Sequence, residues 1–255
     1  MKASEHPLGI QQVFSLGNVF IDHITPNNLQ AKSIEEITCQ QYISKRWHEE
    51  RFARLTSSRF GEICKSRQQI ALCTKMLYSK SSSISSASLL WGRDRESDAR
   101  NQYAQTLGVG LSVKACGLFI STTNGYLGAT PDGLVMANGD IQGCIEIKCP
   151  FSARNKSVAE ACSLSSFFCK KEENGTIKLK RNHNYYYQIQ GQLAVLNLPW
   201  CDFIVWTKEE RVDADSKFWN QQCLPKLQAF YYNIMLPELV YPRHPLEILD
   251  YSIIP

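Results

Sequence analysis

The five residues Cys144-Ile145-Glu146-Ile147-Lys148 alternate strictly along the chain and follow two turn signals; no other stretch limits the fold as much. Pro131-Asp132-Gly133 is a turn sequence in which Pro sets φ and Gly accepts a positive one. Asn138-Gly139-Asp140 is a second turn, so the residues between the two form a short hairpin strand. Side chains on a strand have a period of two. Ile145 and Ile147 therefore share one face, and Glu146 and Lys148 share the other.

That polar face has a definite chemistry. A carboxylate beside an ammonium, opposite an Asp delivered by a neighbouring turn, makes a site for a hard divalent cation. Mg²⁺ takes oxygen ligands and keeps several waters, so Asp132, Glu146 and the Ile147 carbonyl are enough protein; Mn²⁺ can substitute. Lys148 then stands where it can orient a water or stabilise charge during attack on phosphorus. A lone E-x-K is usually an ordinary surface ion pair. P-D-G followed after about a dozen residues by apolar-E-apolar-K is far more specific.

The rest of the chain is read around this centre. Its 255 residues suffice for one large domain with appendages. The boundaries expected are an extension over 1–38, the main domain over 39–236 and a Pro-rich tail over 237–255 that cannot be regular helix. A net charge of +4 permits a polyanionic partner without demanding one. Ten cysteines with no C-x-x-C pair read as reduced thiols used as small hydrophobes. Neither a secretory signal nor a bilayer-length apolar run is present in the sequence, so a soluble intracellular protein, in cytoplasm or nucleus and without membrane contact, is expected.

Helical spacing of apolar residues predicts a helix over 34–54, anchored by Trp47, and another opening at Thr56 or Ser57. A hydroxyl-rich helix start preceded by arginines suits a phosphate, although a capped helix with surface arginines has the same composition. Further helices are predicted over 66–80, 89–107, 157–168, 184–196 and 215–235, the last kinked or split at Pro225, with a serine-rich loop at 81–88. Strands are predicted over 111–120, from Tyr126, over 200–207 and near Val212, those before Glu146 forming an antiparallel meander. Lys178, Lys180 and Arg181 make the most basic segment, either a solubilising loop or a contact for a phosphate backbone. On the 184–196 helix, Gln188 and Gln192 share a face and Gln190 lies on another.

The wording G-A-T-P-D-G-L-V followed by I-E-I-K-C-P-F resembles the lambda-exonuclease or YqaJ viral recombinase branch of the PD-(D/E)xK nuclease superfamily, over roughly residues 45–235. The resemblance implies a restriction-endonuclease-like α/β core, a mixed, mostly antiparallel central sheet flanked by helices. W-G-x-x-x-E-x-D-A matches the family helix whose Glu enters the metal site, which makes Glu96 the third carboxylate. Y-x-x-Q-x-Q matches Tyr185 and Gln188 on a helix that closes the active site. W-x-x-x-R followed by T-x-S makes Arg51 and Ser58 ligands of a terminal 5′-phosphate, with Thr130 keeping the hydroxyl of a Ser in the phage enzyme. The activity implied is Mg²⁺-dependent 5′-to-3′ exonuclease action on ends of double-stranded DNA in recombination or repair. A ring-shaped trimer and a single-strand annealing partner go with it. A binding module with vestigial catalysis and an endonuclease on the same core are the alternatives.

Overall fold

The computed structural model describes residues 8–79, 87–205 and 208–243. Its first half runs α1 (Ile10–Ile24), α2 (Asn28–Ile37), α3 (Lys45–Phe52), β1 (Leu55–Thr56), α4 (Ser57–Lys65), α5 (Gln69–Tyr78) and α6 (Ala87–Thr106). Five strands follow: β2 (Leu111–Lys114), β3 (Phe119–Ile120), β4 (Leu127–Ala129), β5 (Gly133–Ala137) and β6 (Asp140–Lys148). After them come α7 (Val158–Ala161), the hairpin β7 (Cys169–Lys171) and β8 (Ile177–Leu179), and α8 (Asn184–Leu196). The chain continues through β9 (Trp200–Val205), β10 (Lys208–Asp213), α9 (Ser216–Phe218), α10 (Leu224–Phe230) and α11 (Leu236–Val240).

The alternating segment is β6, the middle strand of a five-stranded mixed sheet in the order β10-β9-β6-β5-β2. Asn138 and Gly139, both with positive φ, form the two-residue turn of the β5–β6 hairpin, the conformation that matches strand twist. β9 runs parallel to β6, which requires a crossover, and α8 lies in it. Ala99 and Tyr103 of α6 pack on Ile145 and Ile147. On the opposite face Ile189 and Leu193 of α8 pack with Cys144, Cys201 and Phe203. Helices thus cover both faces of β6.

A further layer lies beyond α8. Its contact with α4 is backbone-close: a Cβ on Gly191 would sit 2.3 Å from the Phe60 ring, and one on Gly61 would sit 2.6 Å from the Asn184 Cα. Phe60 and Ile63 then join Leu227, Phe230 and Tyr231 in a second core that also takes Phe20 and Ile24 from α1. The expected extension thus carries two helices, of which α1 packs on this core, and the buried Arg54 guanidinium donates to the Ile24 carbonyl at 2.5 Å.

The predicted helix over 34–54 is broken. α2 stops at Ile37, a 3₁₀ turn spans Gln41–Ile43, and α3 restarts behind Ser44, whose hydroxyl accepts the Trp47 N–H. The cause is a tertiary claim on the end of α2: the Gly117 and Leu118 N–H groups donate to Glu35 Oε1 at 2.9 Å and Thr38 Oγ1 at 2.8 Å. Those bonds also split the strand expected over 111–120, since donors bound to α2 leave the ladder. β2 pairs with β5, whereas β3 and β4 join β1 in a separate sheet, so no continuous meander forms. The 157–168 run is helical only over Val158–Ala161. The last helical run divides at Pro225, which lies in the first turn of α10 behind a π turn (Trp219–Cys223). Contrary to expectation the tail is helical through Val240, with Pro237 tolerated in the first turn of α11. The greater part of the expected serine loop, 81–86, and the tail beyond 243 lie outside the described residues, while Ala87 and Ser88 open α6.

The ten cysteines are free thiols, and Cys144 faces Cys201 across β6 and β9 inside the core. Among the described residues no helix is long and apolar enough to cross a membrane.

Candidate active site

The turn before β5 and the end of β6 are stitched together by Asp132. Its N–H donates to the Ile145 carbonyl at 3.0 Å, and its Oδ2 accepts the Ile147 N–H at 2.7 Å, so it brackets the Glu146 peptide unit. Glu146 is buried, with 1% of its surface exposed, and its carboxylate meets three donors. Lys148 Nζ and Gln188 Nε2 (2.6 Å) both bind Oε1, and Gln192 Nε2 binds Oε2 at 2.6 Å. The two glutamines are one helical turn apart on the face of α8 that covers the strand. Tyr185, a further turn back, lays its ring 4.9 Å from the Lys148 ammonium.

The charges are unbalanced. Burial, and after it Glu146 and Glu96, drive the Asp132 carboxyl well above the ordinary aspartate range, against Lys148 and the Ile147 N–H. Burial works against the Lys148 ammonium, yet Glu146 and Asp132 outweigh it and raise its pKa.

Glu96 comes from the other layer. α6 crosses the Ile145 face, and Glu96 reaches the end of β6 at the wall of a cleft of about 510 Å³ shared with Lys148, Cys149, Phe168 and Tyr185. It accepts from Arg100 Nη2 at 2.5 Å. Its pKa is raised by burial, with Glu146 adding and Arg100 and Lys148 opposing. Among the described residues no three Asp, Glu, His or Cys side chains form a metal cage. What the strand end offers is narrower: two carboxylates and the Ile147 carbonyl, all hard oxygens, with only Lys148 set against them. That donor set fits a hydrated divalent ion such as Mg²⁺, which asks few ligands of the protein.

A second cluster lies around α3. The Arg51 guanidinium stacks 3.9 Å over the Trp47 ring, and the Trp47 Nε1–H donates to Thr130 Oγ1 at 3.2 Å. Burial, then the neighbouring Arg59, lowers the Arg51 pKa to about 10, and among the described residues no carboxylate pairs with it. Ser58 is exposed in the first turn of α4, 3.4 Å from the Thr56 hydroxyl. Arg51 and Thr130 are thus joined through Trp47, two residues ahead of Asp132.

Lys180 and Arg181 have protein partners. Lys180 Nζ donates to the Ser165 and Phe167 carbonyls at 3.2 and 2.6 Å, and Arg181 pairs with Asp215. Arg181 also lies over Tyr186, on a different side of α8 from Gln188. Two side chains at the site escaped the sequence reading. The spacing of Gln192 from Gln188 showed a shared face but not what the face covers. Arg100 follows Glu96 by one turn, the spacing of any helical ion pair.

Against known proteins, the profile of the YqaJ-like viral recombinase domain matches residues 46–199. No curated protein sequence matches the chain. Among solved structures, the alkaline exonuclease LHK-Exo from Laribacter hongkongensis superposes with a TM-score of 0.56 at 24% identity, over 74% of this chain and 92% of that one. The same enzyme in complex with dAMP gives 0.57 at 24% identity with the same coverage. A SOX–DNA complex gives 0.53 at 13% identity, over 95% and 83% of the two chains. These likenesses are likenesses of fold.

Proposed function

The chain belongs to the YqaJ-like viral recombinase domain family, and from that premise we propose that it is a Mg²⁺-dependent exonuclease acting on linear double-stranded DNA from 5′-phosphorylated ends. The observation that carries the reading is the convergence of Asp132, Glu146 and Lys148 on the two sides of the Ile147 peptide. Folds of this kind that hold dAMP in LHK-Exo and DNA in SOX support a nucleic-acid substrate.

Asp132, Glu146 and the Ile147 carbonyl would hold the ion, with Glu96 reaching it directly or through water. When bound, the ion supplies Lewis-acid stabilisation of charge building on the phosphoryl oxygens. Glu146 is held in one orientation by three donors. Lys148 projects from the same strand face and can donate to the attacking water or to a nonbridging phosphate oxygen. Tyr185 walls the ammonium off on one side. The preference for a 5′-phosphate rests on Arg51: a guanidinium without a carboxylate partner among the described residues, 3.9 Å over the Trp47 ring whose N–H donates to the Thr130 hydroxyl. Arg suits phosphate because its donors form a rigid fork.

The test is a substrate panel with Mg²⁺, Mn²⁺ or chelator: linear duplex with 5′-phosphate or 5′-hydroxyl, and a covalently closed circle. Ion-dependent loss of the phosphorylated linear substrate, with the circle intact, is expected. Cleavage of the circle would mark an endonuclease, and a mobility shift without any cleavage would mark a binding module. Lys148→Ala should lower turnover by about 10²–10³-fold, the usual loss for one preorganised donor at a reacting centre, while DNA binding persists.

A further inference from the structure

Gln188 lies in the sequence pattern that links this helix to nuclease active sites; Gln192 does not. Yet Gln192 is completely buried, and its amide N–H is the partner of the second oxygen of Glu146, at 2.6 Å. We infer that Gln192 is a positioning residue that sets the orientation of the Glu146 carboxylate and so tunes its affinity for a divalent cation. The inference rests on the nuclease reading above.

The argument is one of lone pairs. A carboxylate offers about four acceptor directions, two on each oxygen. Lys148 and Gln188 occupy Oε1, and Gln192 takes one direction on Oε2. The direction left open is therefore on Oε2, beside the Gln192 amide. Lys148 and Gln188 both hold one oxygen, and of the three donors only Gln192 holds the other, the oxygen that keeps an open direction. Groups that hydrogen-bond a metal ligand from behind govern its aim, and losing one costs about 10–100-fold in metal affinity or activity.

The other end of the amide supports this. Gln192 Oε1 is buried and has no hydrogen-bond partner, one of three such side-chain atoms among the described residues. A buried carbonyl left unpaired is a net cost to folding. An apolar side chain of the same shape, Met or Leu, would avoid that cost. What Gln supplies and Met cannot is the single N–H aimed at Glu146.

The experiment compares wild type, Gln192→Met, Gln192→Leu and Lys148→Ala. Binding of Mn²⁺ alone, without DNA, is measured by calorimetry and by the electron paramagnetic resonance signal of free Mn²⁺, and turnover is measured against Mn²⁺ concentration. Both Gln192 variants should bind Mn²⁺ about 10–100-fold more weakly. Their turnover should recover in part as the ion is raised, a displacement along the concentration axis that a general packing defect would not give. Lys148→Ala should instead lose turnover at every concentration, with no recovery as the ion is raised. A folded Gln192→Met that binds Mn²⁺ as wild type does overturns the inference and leaves the nuclease reading untouched. Should Leu fail to fold, Met, unbranched like Gln, decides the question. Wild-type protein that neither binds Mn²⁺ nor cuts DNA overturns the nuclease reading, and this inference with it.

Discussion

Replacing Asp132 by Asn should make the ion-free protein more stable while abolishing cleavage. The raised pKa of Asp132 means that the folded protein holds this proton more tightly than the unfolded chain does. Below the ordinary aspartate value, about 3.9, both states carry the proton and the group is neutral to stability. As pH rises through the window between that value and the raised one, the unfolded chain releases its proton and the folded state does not. Stability therefore falls across the window and stays low above it. Asn removes the penalty, and its Oδ1 can still accept the Ile147 N–H that Asp132 Oδ2 now takes at 2.7 Å. Each unit by which the folded pKa exceeds the ordinary one is worth about 1.4 kcal/mol. For a chain of this size that is about 3–6 °C in melting temperature per unit. The assay is thermal unfolding followed by circular dichroism in chelator, at about pH 8 and again at about pH 4. A gain at the higher pH that shrinks towards zero at the lower one is expected. No gain at the higher pH, or an equal gain at both, would refute the electrostatic account of this site.

Two further perturbations probe the neighbouring structure. Arg51→Ala should reduce cleavage of 5′-phosphorylated ends by about 10- to 100-fold, the worth of one hydrogen bond to a charged group, and should leave 5′-hydroxyl ends nearly untouched; equal loss on both kinds of end would remove Arg51 from end recognition. Gly191→Ala forces a methyl group to within 2.3 Å of the Phe60 ring, so α4 and α8 must part, at a cost of about 1–3 kcal/mol in urea unfolding; wild-type stability in that variant would mean the two helices do not approach as described.

Where the sequence was legible, the reason was local periodicity. The alternation of Cys144 to Lys148 fixed which residues share a face of β6, and the Asn138-Gly139 turn fixed the hairpin that brings Asp132 to the strand. The helical spacing of Gln188 and Gln192 survived intact in α8. What could not be read was set by partners far along the chain. Nothing near Gly117 indicates that its N–H will be taken by Glu35, and nothing near Thr38 indicates that its hydroxyl will serve Leu118, so a broken helix and a split strand were both missed. The protein partners of the basic run, the carbonyls of Ser165 and Phe167 for Lys180 and the carboxylate of Asp215 for Arg181, likewise lie outside its local sequence. The linkage of Arg51 to Thr130 through Trp47 spans 83 residues between the indole and the hydroxyl, beyond any local pattern.

The covering of both faces of β6 explains why the site is built as it is. A strand exposed on one side could keep Glu146 in water at little cost. Here α8 lies over that side, and an ionised carboxylate taken out of water costs several kcal/mol unless donors surround it. The chain meets the demand with its two elementary repeats: Lys148 two residues along the strand, and Gln188 and Gln192 four residues apart on the helix. The four groups depend on one another. Without Glu146 the two amides and the ammonium would lack their acceptor, and without them the Glu146 carboxyl would be a buried acceptor without donors. A domain that only bound DNA would fold better with apolar side chains at all four positions. Retaining a buried carboxylate, its three donors and an unpaired Gln192 oxygen is a stability cost that the proposed cation site at the end of β6 would explain.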